Sequence, residues 1–371
     1  MKRTLVAALL GCTAISALAQ SSVTIYGVID AGVGVVENGN ARSTQLMSGV
    51  ANGSRLGFRG IEDLGGGLRA TFVLENGFAA DNGSVTQGGV FFGRQSFVGL
   101  SSTSGWSLTA GRHNSPLNTS MITADPFNWQ YFGNTVGTGL GVHESPGETP
   151  ASGGWQGNSR VNNSVLGKYT YGPVSAELMR GFGDENTKGN GELWSGGVTY
   201  ASGPWLITAA YGSFKQFAGS TVAGADPQTE SQYVVGASYD FKVVKVSAGY
   251  YQFNPSNANR TPGAPNALDP RFDKGSTYWI GARAPLPFGV LLVNVMKSTY
   301  EYATRADGEG VTFGAAYEYL LSKRTSLYAS YGQVNNNATG LVSLAAAIPF
   351  IAPTAAGNDL RGYAVGIRHF F

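Results

Sequence analysis

The chain has 371 residues, of which 54 are Gly, 12% are aromatic and 13% are charged, with 25 basic residues against 23 acidic ones. Near-neutral charge excludes a nucleic-acid partner drawn by bulk electrostatics, and a single cysteine, Cys12, excludes a disulfide framework. Beyond the amino-terminal segment no run of about 18 apolar residues occurs, which excludes a spanning helix; spanning strands stay open, because only half of each would face lipid and alternation hides that hydrophobicity from a window average.

At the amino terminus, Lys2 and Arg3 precede a mostly apolar stretch from Leu5 to Leu18, and Ala17-Leu18-Ala19 supplies a small-x-small cleavage pattern. Residues 1–19 therefore read as a secretory signal peptide and 20–371 as the mature domain. Leu9-Leu10-Gly11-Cys12 offers a lipoprotein box as the alternative, on an apolar run of only about six residues. Removing Lys2 and Arg3 brings the basic residues from 25 to 23, equal to the 23 acidic ones.

Alternating apolar positions and Gly/Asn/Asp/Pro punctuation then mark sixteen strands. They run Val23 to Val36, Ser54 to Glu62, Leu68 to Phe78, Phe92 to Ser101, Trp106 to Arg112, Arg160 to Tyr171, Val174 to Phe182 and Leu193 to Ala201. Trp205 to Phe217, Ser231 to Phe241, Val244 to Phe253, Ser276 to Ala284, Val290 to Ala303, Gly310 to Leu320, Thr325 to Val334 and Asp359 to Phe371 complete the set. Turns such as Tyr171-Gly172-Pro173 and Ser202-Gly203-Pro204 are short, whereas the connections after Val36, Phe78, Arg112, Phe253 and Val334 are long and polar. That alternation fits an antiparallel barrel with its short turns on one rim. A β-sandwich or β-helical adhesin would share the composition, but no fixed short repeat is present.

The last strand ends on Phe371 with nothing after it. Tyr363, Val365, Ile367 and Phe371 share one face, and Gly362, Ala364, Gly366 and Arg368 the other. An uncovered final strand would be an aggregation hazard in an open sheet, and a closed barrel removes the edge by pairing it with the first strand. The expected fold is therefore all-β: a 16-stranded antiparallel transmembrane β-barrel.

Several stretches resemble the general porins of β-proteobacterial outer membranes, the Gram-negative trimeric porin family. They are QSSVTIYGVIDAG from Gln20, SRLGFRGIEDLGGGLRATFVLENGF from Ser54, FGRQSFVGLS from Phe92 and LTAGR from Leu108, with SRVNNSVLGKYTY from Ser159, YLLSKRTSLYASYG from Tyr319 and VGIRHFF from Val365. The resemblance spans the chain from Gln20 to Phe371. It implies short periplasmic turns, long extracellular loops, an inward-folded third loop that constricts the pore, a homotrimer in the outer membrane among lipid and lipopolysaccharide, and recognition of the terminal Phe371 by the barrel assembly machinery. The ending His369-Phe370-Phe371 departs mildly from the more usual basic penultimate residue before the terminal aromatic.

Alternation places the candidate chemistry. In the second strand, Leu56 and Phe58 alternate with Arg55 and Arg59; in the third, Leu68, Ala70, Phe72 and Leu74 alternate with Arg69 and Glu75. If the apolar set meets lipid, where a charge costs about 2–4 kcal/mol near the midplane, the charged set lines the lumen. The same rule places Arg94 and Ser96 inside opposite Phe97, and Arg160, Asn162, Ser164 and Lys168 inside opposite Val161, Val165 and Tyr169. The resemblance carries constriction roles to Arg55, Glu75, Arg94 and Arg160, and lumen positions to Tyr26 and Asp30. Arg112 breaks its strand's alternation, so it lies past the membrane edge or past a bulge. From His113 to Ser159 there is no Lys or Arg but Asp125, Glu144 and Glu148 occur. Folded inward, as the resemblance implies, that segment would set acidic charge against the basic wall, giving a mildly anion-selective pore for ions and small hydrophilic solutes. The plainer alternative is that the arginines only solvate a polar interior. Aromatic residues near strand ends, among them Trp205, Tyr239 and Trp279, suit interfacial girdles.

Nothing points to catalysis or a bound cofactor. The three histidines show no spacing that puts two on one metal, no nucleophile stands beside a base, and Gly167-Lys168 is followed by Tyr169 rather than Ser or Thr, so no phosphate loop forms. A solute-specific channel, or a barrel serving adhesion or structure, are the alternatives to a diffusion pore.

Overall fold

The computed structural model describes residues 22–138, 159–183, 192–216, 228–254, 273–302 and 306–371. The signal-peptide reading and the acidic positions Glu144 and Glu148 lie outside these described residues.

The wall starts with β1 (Ser22–Asn38), β2 (Ala41–Ser48), β3 (Arg55–Gly65), β4 (Leu68–Gly77), β5 (Gln95–Ser102) and β6 (Trp106–Asn114). A short helix, α1 (Pro116–Ala124), precedes β7 (Arg160–Tyr171), β8 (Val174–Phe182), β9 (Glu192–Ser202), β10 (Trp205–Gln216), β11 (Gln228–Asp240) and β12 (Lys245–Asn254). Then come β13 (Lys274–Leu286), β14 (Gly289–Glu301), β15 (Gly308–Leu320), β16 (Thr325–Asn336), a small hairpin of β17 (Leu344–Ala345) and β18 (Phe350–Ile351), and β19 (Leu360–Phe370). Each wall strand pairs antiparallel with its neighbours, and β19 closes onto β1 from Asn38↔Leu360 to Val28↔Phe370. Phe371 completes the seam by exchanging both backbone hydrogen bonds with Gly27, at 3.1 and 3.2 Å.

One strand more than expected appears at the start. β2 pairs with the loop-side half of β1, and β3 with its turn-side half. Together they make one broken strand, so the closed wall has sixteen. The stretch ARSTQLMS that forms β2 is polar apart from Ala41 and the adjacent Leu46 and Met47, and shows no alternation to read.

The break between β2 and β3 explains Asp30. Its carboxylate accepts the backbone N–H groups of Val50 (3.1 Å), Ala51 (3.2 Å) and Asn52 (2.9 Å), donors that a continuous ladder would have satisfied, and the Tyr328 hydroxyl at 2.8 Å. Asp30 is fully buried. It stands on the inner face as a structural tie rather than on the pore surface. Asp30→Asn loses charge-assisted acceptance and aims an NH2 group at donors, which should cost about 2 kcal/mol. The expected outcome is a lower urea midpoint for the refolded barrel in detergent; an unchanged midpoint would refute the tie.

The two faces differ chemically. Val23, Ile25, Val33, Leu46, Val98, Leu108, Leu178 and Val365 are exposed on the outside, the arrangement expected where lipid replaces water. Aromatic pairs flank this band: Trp205–Tyr239 at 4.6 Å near the short turns, Tyr250–Tyr278 at 4.6 Å and Tyr331–Tyr363 at 5.1 Å toward the loops. Trp279 is a correction to the girdle reading. It points inward, is 3% exposed, and donates its indole N–H to the Ala124 carbonyl at 3.1 Å.

Candidate functional site

Residues 115–138 lie against the inner wall and make the interior asymmetric. Ser115 caps α1 by accepting the Asn118 N–H at 3.1 Å. The helix then packs on β9 to β11, and the chain continues over β13 to β16. Phe132 donates its N–H to Ser330 Oγ (2.9 Å), Asn294 donates to the Gly133 carbonyl (3.0 Å), and Tyr131 donates its N–H to the Val50 carbonyl (2.8 Å). Glycines on the wall make room: a Cβ at Gly281 would fall 2.5 Å from Pro126 Cγ, and one at Gly332 would fall 2.7 Å from Phe132 Cβ. Among the described residues, this segment covers the inner face of β9 to β16 and leaves that of β3 to β7 largely uncovered.

On that uncovered wall the strand registers set the charges. Arg55 and Arg59 on β3 align with Val28 and Thr24 of β1, and Glu75 on β4 aligns with Gly57, which itself aligns with Tyr26. All five side-chain-bearing positions at Tyr26, Arg55, Arg59, Glu75 and Val28 therefore share the inner face. Glu75 is 5% exposed and fully engaged: it accepts Arg94 Nε at 2.6 Å and the Tyr26 hydroxyl at 2.9 Å. The Arg59 guanidinium lies 5.5 Å from the Tyr26 ring centroid, a cation–π distance. Among the described residues Arg55 and Arg59 have no carboxylate partner. Three guanidinium groups thus stand against one carboxylate. Arg69 is exposed on the same face toward the short turns, aligned with Asp63.

Three placements differ from the alternation. In β5, Gln95, Phe97 and Ser101 align with Glu75, Val73 and Arg69, so Phe97 faces inward and Ser96 outward. Arg94 lies just before the strand and reaches Glu75 because its own N–H first bonds the Glu75 carbonyl at 3.1 Å. In β6 the register shifts between Gly111 and His113; this is the bulge that accounts for Arg112, which donates to the Gly93 carbonyl at 2.8 Å and to Asn162 Oδ1 at 2.5 Å. The partner side of that shift carries an extra residue in β7, where Asn163 adopts φ 47°. Val161, expected outside, is consequently buried on the inner face, Asn162 is turned off it, and Arg160 sits at the first position of β7 in register with Asn114. Lys168, beyond the kink, faces inward and pairs with Glu177 at 2.7 Å.

Asp125 is a further correction. It is 2% exposed and is spent inside its own loop, accepting the N–H groups of Phe127 (2.8 Å), Trp129 (3.2 Å) and Thr135 (3.1 Å) and the Thr135 hydroxyl (3.0 Å). Burial pushes its carboxyl above the ordinary carboxylate range, and these hydrogen bonds pull it back only in part. It is not a charge presented to the basic wall.

Sequence reading missed two inward basic residues on the far wall. Lys245 and Arg283 align across β12 and β13, on the face that holds Trp279 and Gly281. The period-two pattern of β13 carries that information, with Tyr278, Ile280 and Ala282 on the opposite face. Arg368 also faces inward but lends no open charge: it is 6% exposed, ion-paired with Glu318, and donates to Asn52 Oδ1 at 2.7 Å. Glu318 also accepts the Tyr131 hydroxyl at 2.9 Å, which ties the tip of the internal loop to the seam.

A closed sixteen-stranded barrel, apolar outside and polar within, belongs to the class of transmembrane channel formers. A family model described as Gram-negative porin matches residues 4–339. An outer membrane porin protein of Bordetella pertussis and outer membrane porin protein 32 of Delftia acidovorans are each 31% identical over the full length of both chains. An anion-selective porin from Comamonas acidovorans superposes with a TM-score of 0.77 at 27% identity, covering 95% of this chain and 100% of that one. The trimer form of OmpT from Vibrio cholerae shares the fold at a TM-score of 0.70 and 16% identity, covering 95% of this chain and 99% of that one. The chain belongs to the Gram-negative porin family, whose members form channels rather than catalyse reactions, and it is an outer-membrane porin.

Proposed function

We propose that the protein is a passive diffusion pore for inorganic ions and small hydrophilic solutes with a mild preference for anions, and that its constriction lies between the β3–β5 wall and the loop of residues 115–138. The observation that carries this reading is the excess of guanidinium groups at Arg55, Arg59 and Arg94 over the single, fully engaged Glu75. Fixed cations in a narrow water-filled passage raise the local anion concentration. Arg69 and Arg160 extend the basic side of the path, Lys168 is balanced by Glu177, and Tyr26 orients Glu75 and supports Arg59. The anion selectivity named for the Comamonas porin supports the same sign.

Residues 1–19 act as a cleaved export signal, the barrel assembles as a homotrimer, and the assembly machinery reads the strand ending at Phe371. The exposed apolar band and its aromatic flanks suit contact with lipid, lipopolysaccharide and neighbouring protomers. The zero-current potential across a potassium chloride gradient in a planar bilayer tests the selectivity. Its sign should report chloride as the more permeant ion, and a potential of cationic sign would overturn the proposal.

A further inference from the structure

Beside the arginine cluster the same wall carries a recess of different chemistry. Along β4 to β7, with Thr119 of α1 at one side, is a cavity of about 300 Å³. Neutral hydrogen-bonding side chains dominate its lining: Gln95, Ser101, Ser107, Asn114 and Thr119. Two rings complete it, Phe97 and His113, stacked with centroids 4.7 Å apart and planes 23° apart. His113 is 1% exposed; its Nδ1 meets Ser164 Oγ at 2.8 Å, whereas its Nε2 has no hydrogen-bond partner. The one cation in the lining, Lys168, is neutralised by Glu177 at 2.7 Å. The recess therefore presents neutral hydrogen-bonding groups and an aromatic side chain, with its one charge balanced.

From this geometry we infer that the recess is a solute subsite for a small polyhydroxylated molecule of monosaccharide size. Hydroxyl groups match the neutral donors and acceptors of the wall, each of which both gives and takes a hydrogen bond except through the paired Lys168. The C–H face of a sugar ring is apolar and can lie against an aromatic side chain, which removes both from water. The volume lies at the small end of ligand-binding pockets, which suits one sugar ring rather than a longer chain. A carboxylate or phosphate is the poorer match, because the recess offers no uncompensated charge. This subsite rests on the diffusion-pore reading and adds to it a place where a passing neutral solute pauses.

The test is block of potassium chloride current by glucose, with gluconate as the charged comparator of similar size, in the parent channel and in Phe97→Leu and Ser107→Ala. Block is normalised to each variant's own open-channel conductance. Glucose should block the parent saturably and more effectively than gluconate, with the half-blocking concentration raised about fivefold by Ser107→Ala, the loss of one ordinary hydrogen bond, and at least as much by Phe97→Leu. Glucose effects that follow solution viscosity alone, or half-blocking concentrations equal in parent and both variants, would overturn the subsite while leaving the pore intact. A chain with no potassium chloride conductance would sink the pore and the subsite together.

Discussion

Replacing Arg368 with Ala should destabilise the folded barrel by about 3–5 kcal/mol, the usual cost of leaving one half of a buried ion pair behind. Arg368 and Glu318 are 6% and 5% exposed, so water cannot replace the missing partner cheaply. The loss would spread. Glu318 also holds the Tyr131 hydroxyl, Arg368 also holds Asn52, and Tyr131 and Tyr328 stack edge-on at 5.8 Å around the Asp30 tie. Seam, broken strand and loop tip therefore share one network. Urea unfolding of the refolded protein in detergent measures the effect, and the double variant Arg368→Met with Glu318→Leu should recover much of it, because removing both charges also removes the desolvation cost. A single variant that unfolds like the parent would show that the network carries no stability.

Removing Arg55 and Arg59 together should shift ion selectivity strongly while leaving the barrel assembled. Both lie on the inner face without a carboxylate partner among the described residues, so neither substitution strands an opposite charge. A unit charge about 6 Å from an ion in water contributes about 0.7 kcal/mol, roughly threefold in local concentration. The double alanine variant should then lower the local anion concentration by about an order of magnitude at low salt and move the anion-to-cation permeability ratio toward cations, by less near physiological ionic strength, where screening acts over about 8 Å. Zero-current potentials at two salt concentrations measure this. A ratio unmoved by the double substitution would place the selective step elsewhere along the pore.

The barrel was legible in the sequence wherever alternation is unbroken. In β3 and β4, apolar Leu56, Phe58, Phe72 and Leu74 leave only one face for Arg55, Arg59, Arg69 and Glu75, and the register puts them there. Alternation fails where the backbone gains a residue or a strand begins later than its apolar pattern suggests. Phe97 turned inward because β5 begins at Gln95 in register with Glu75. Val161 turned inward because the extra residue at Asn162–Asn163 flips the faces of β7. β2 was hidden by its polarity, and its break is held by Asp30, whose neighbours Tyr328 and Val50 are 298 and 20 residues away. The burial of Asp125 was illegible for a related reason. A carboxylate in a long polar loop looks the same in sequence whether it faces water or caps backbone donors, and only the folded loop separates the two.

Conduction in this barrel depends above all on ions passing inside it, along the wall that bears Arg59. Cys12 is the only cysteine and lies outside the described barrel, so a cysteine introduced there stands alone. Arg59→Cys and Phe58→Cys place a thiol on adjacent residues and opposite faces. A negatively charged, water-soluble thiol reagent added to single channels in a planar bilayer should reduce chloride current through the Arg59→Cys channel and leave the Phe58→Cys channel unchanged. Current that responds at Phe58→Cys and not at Arg59→Cys would contradict a path along that wall.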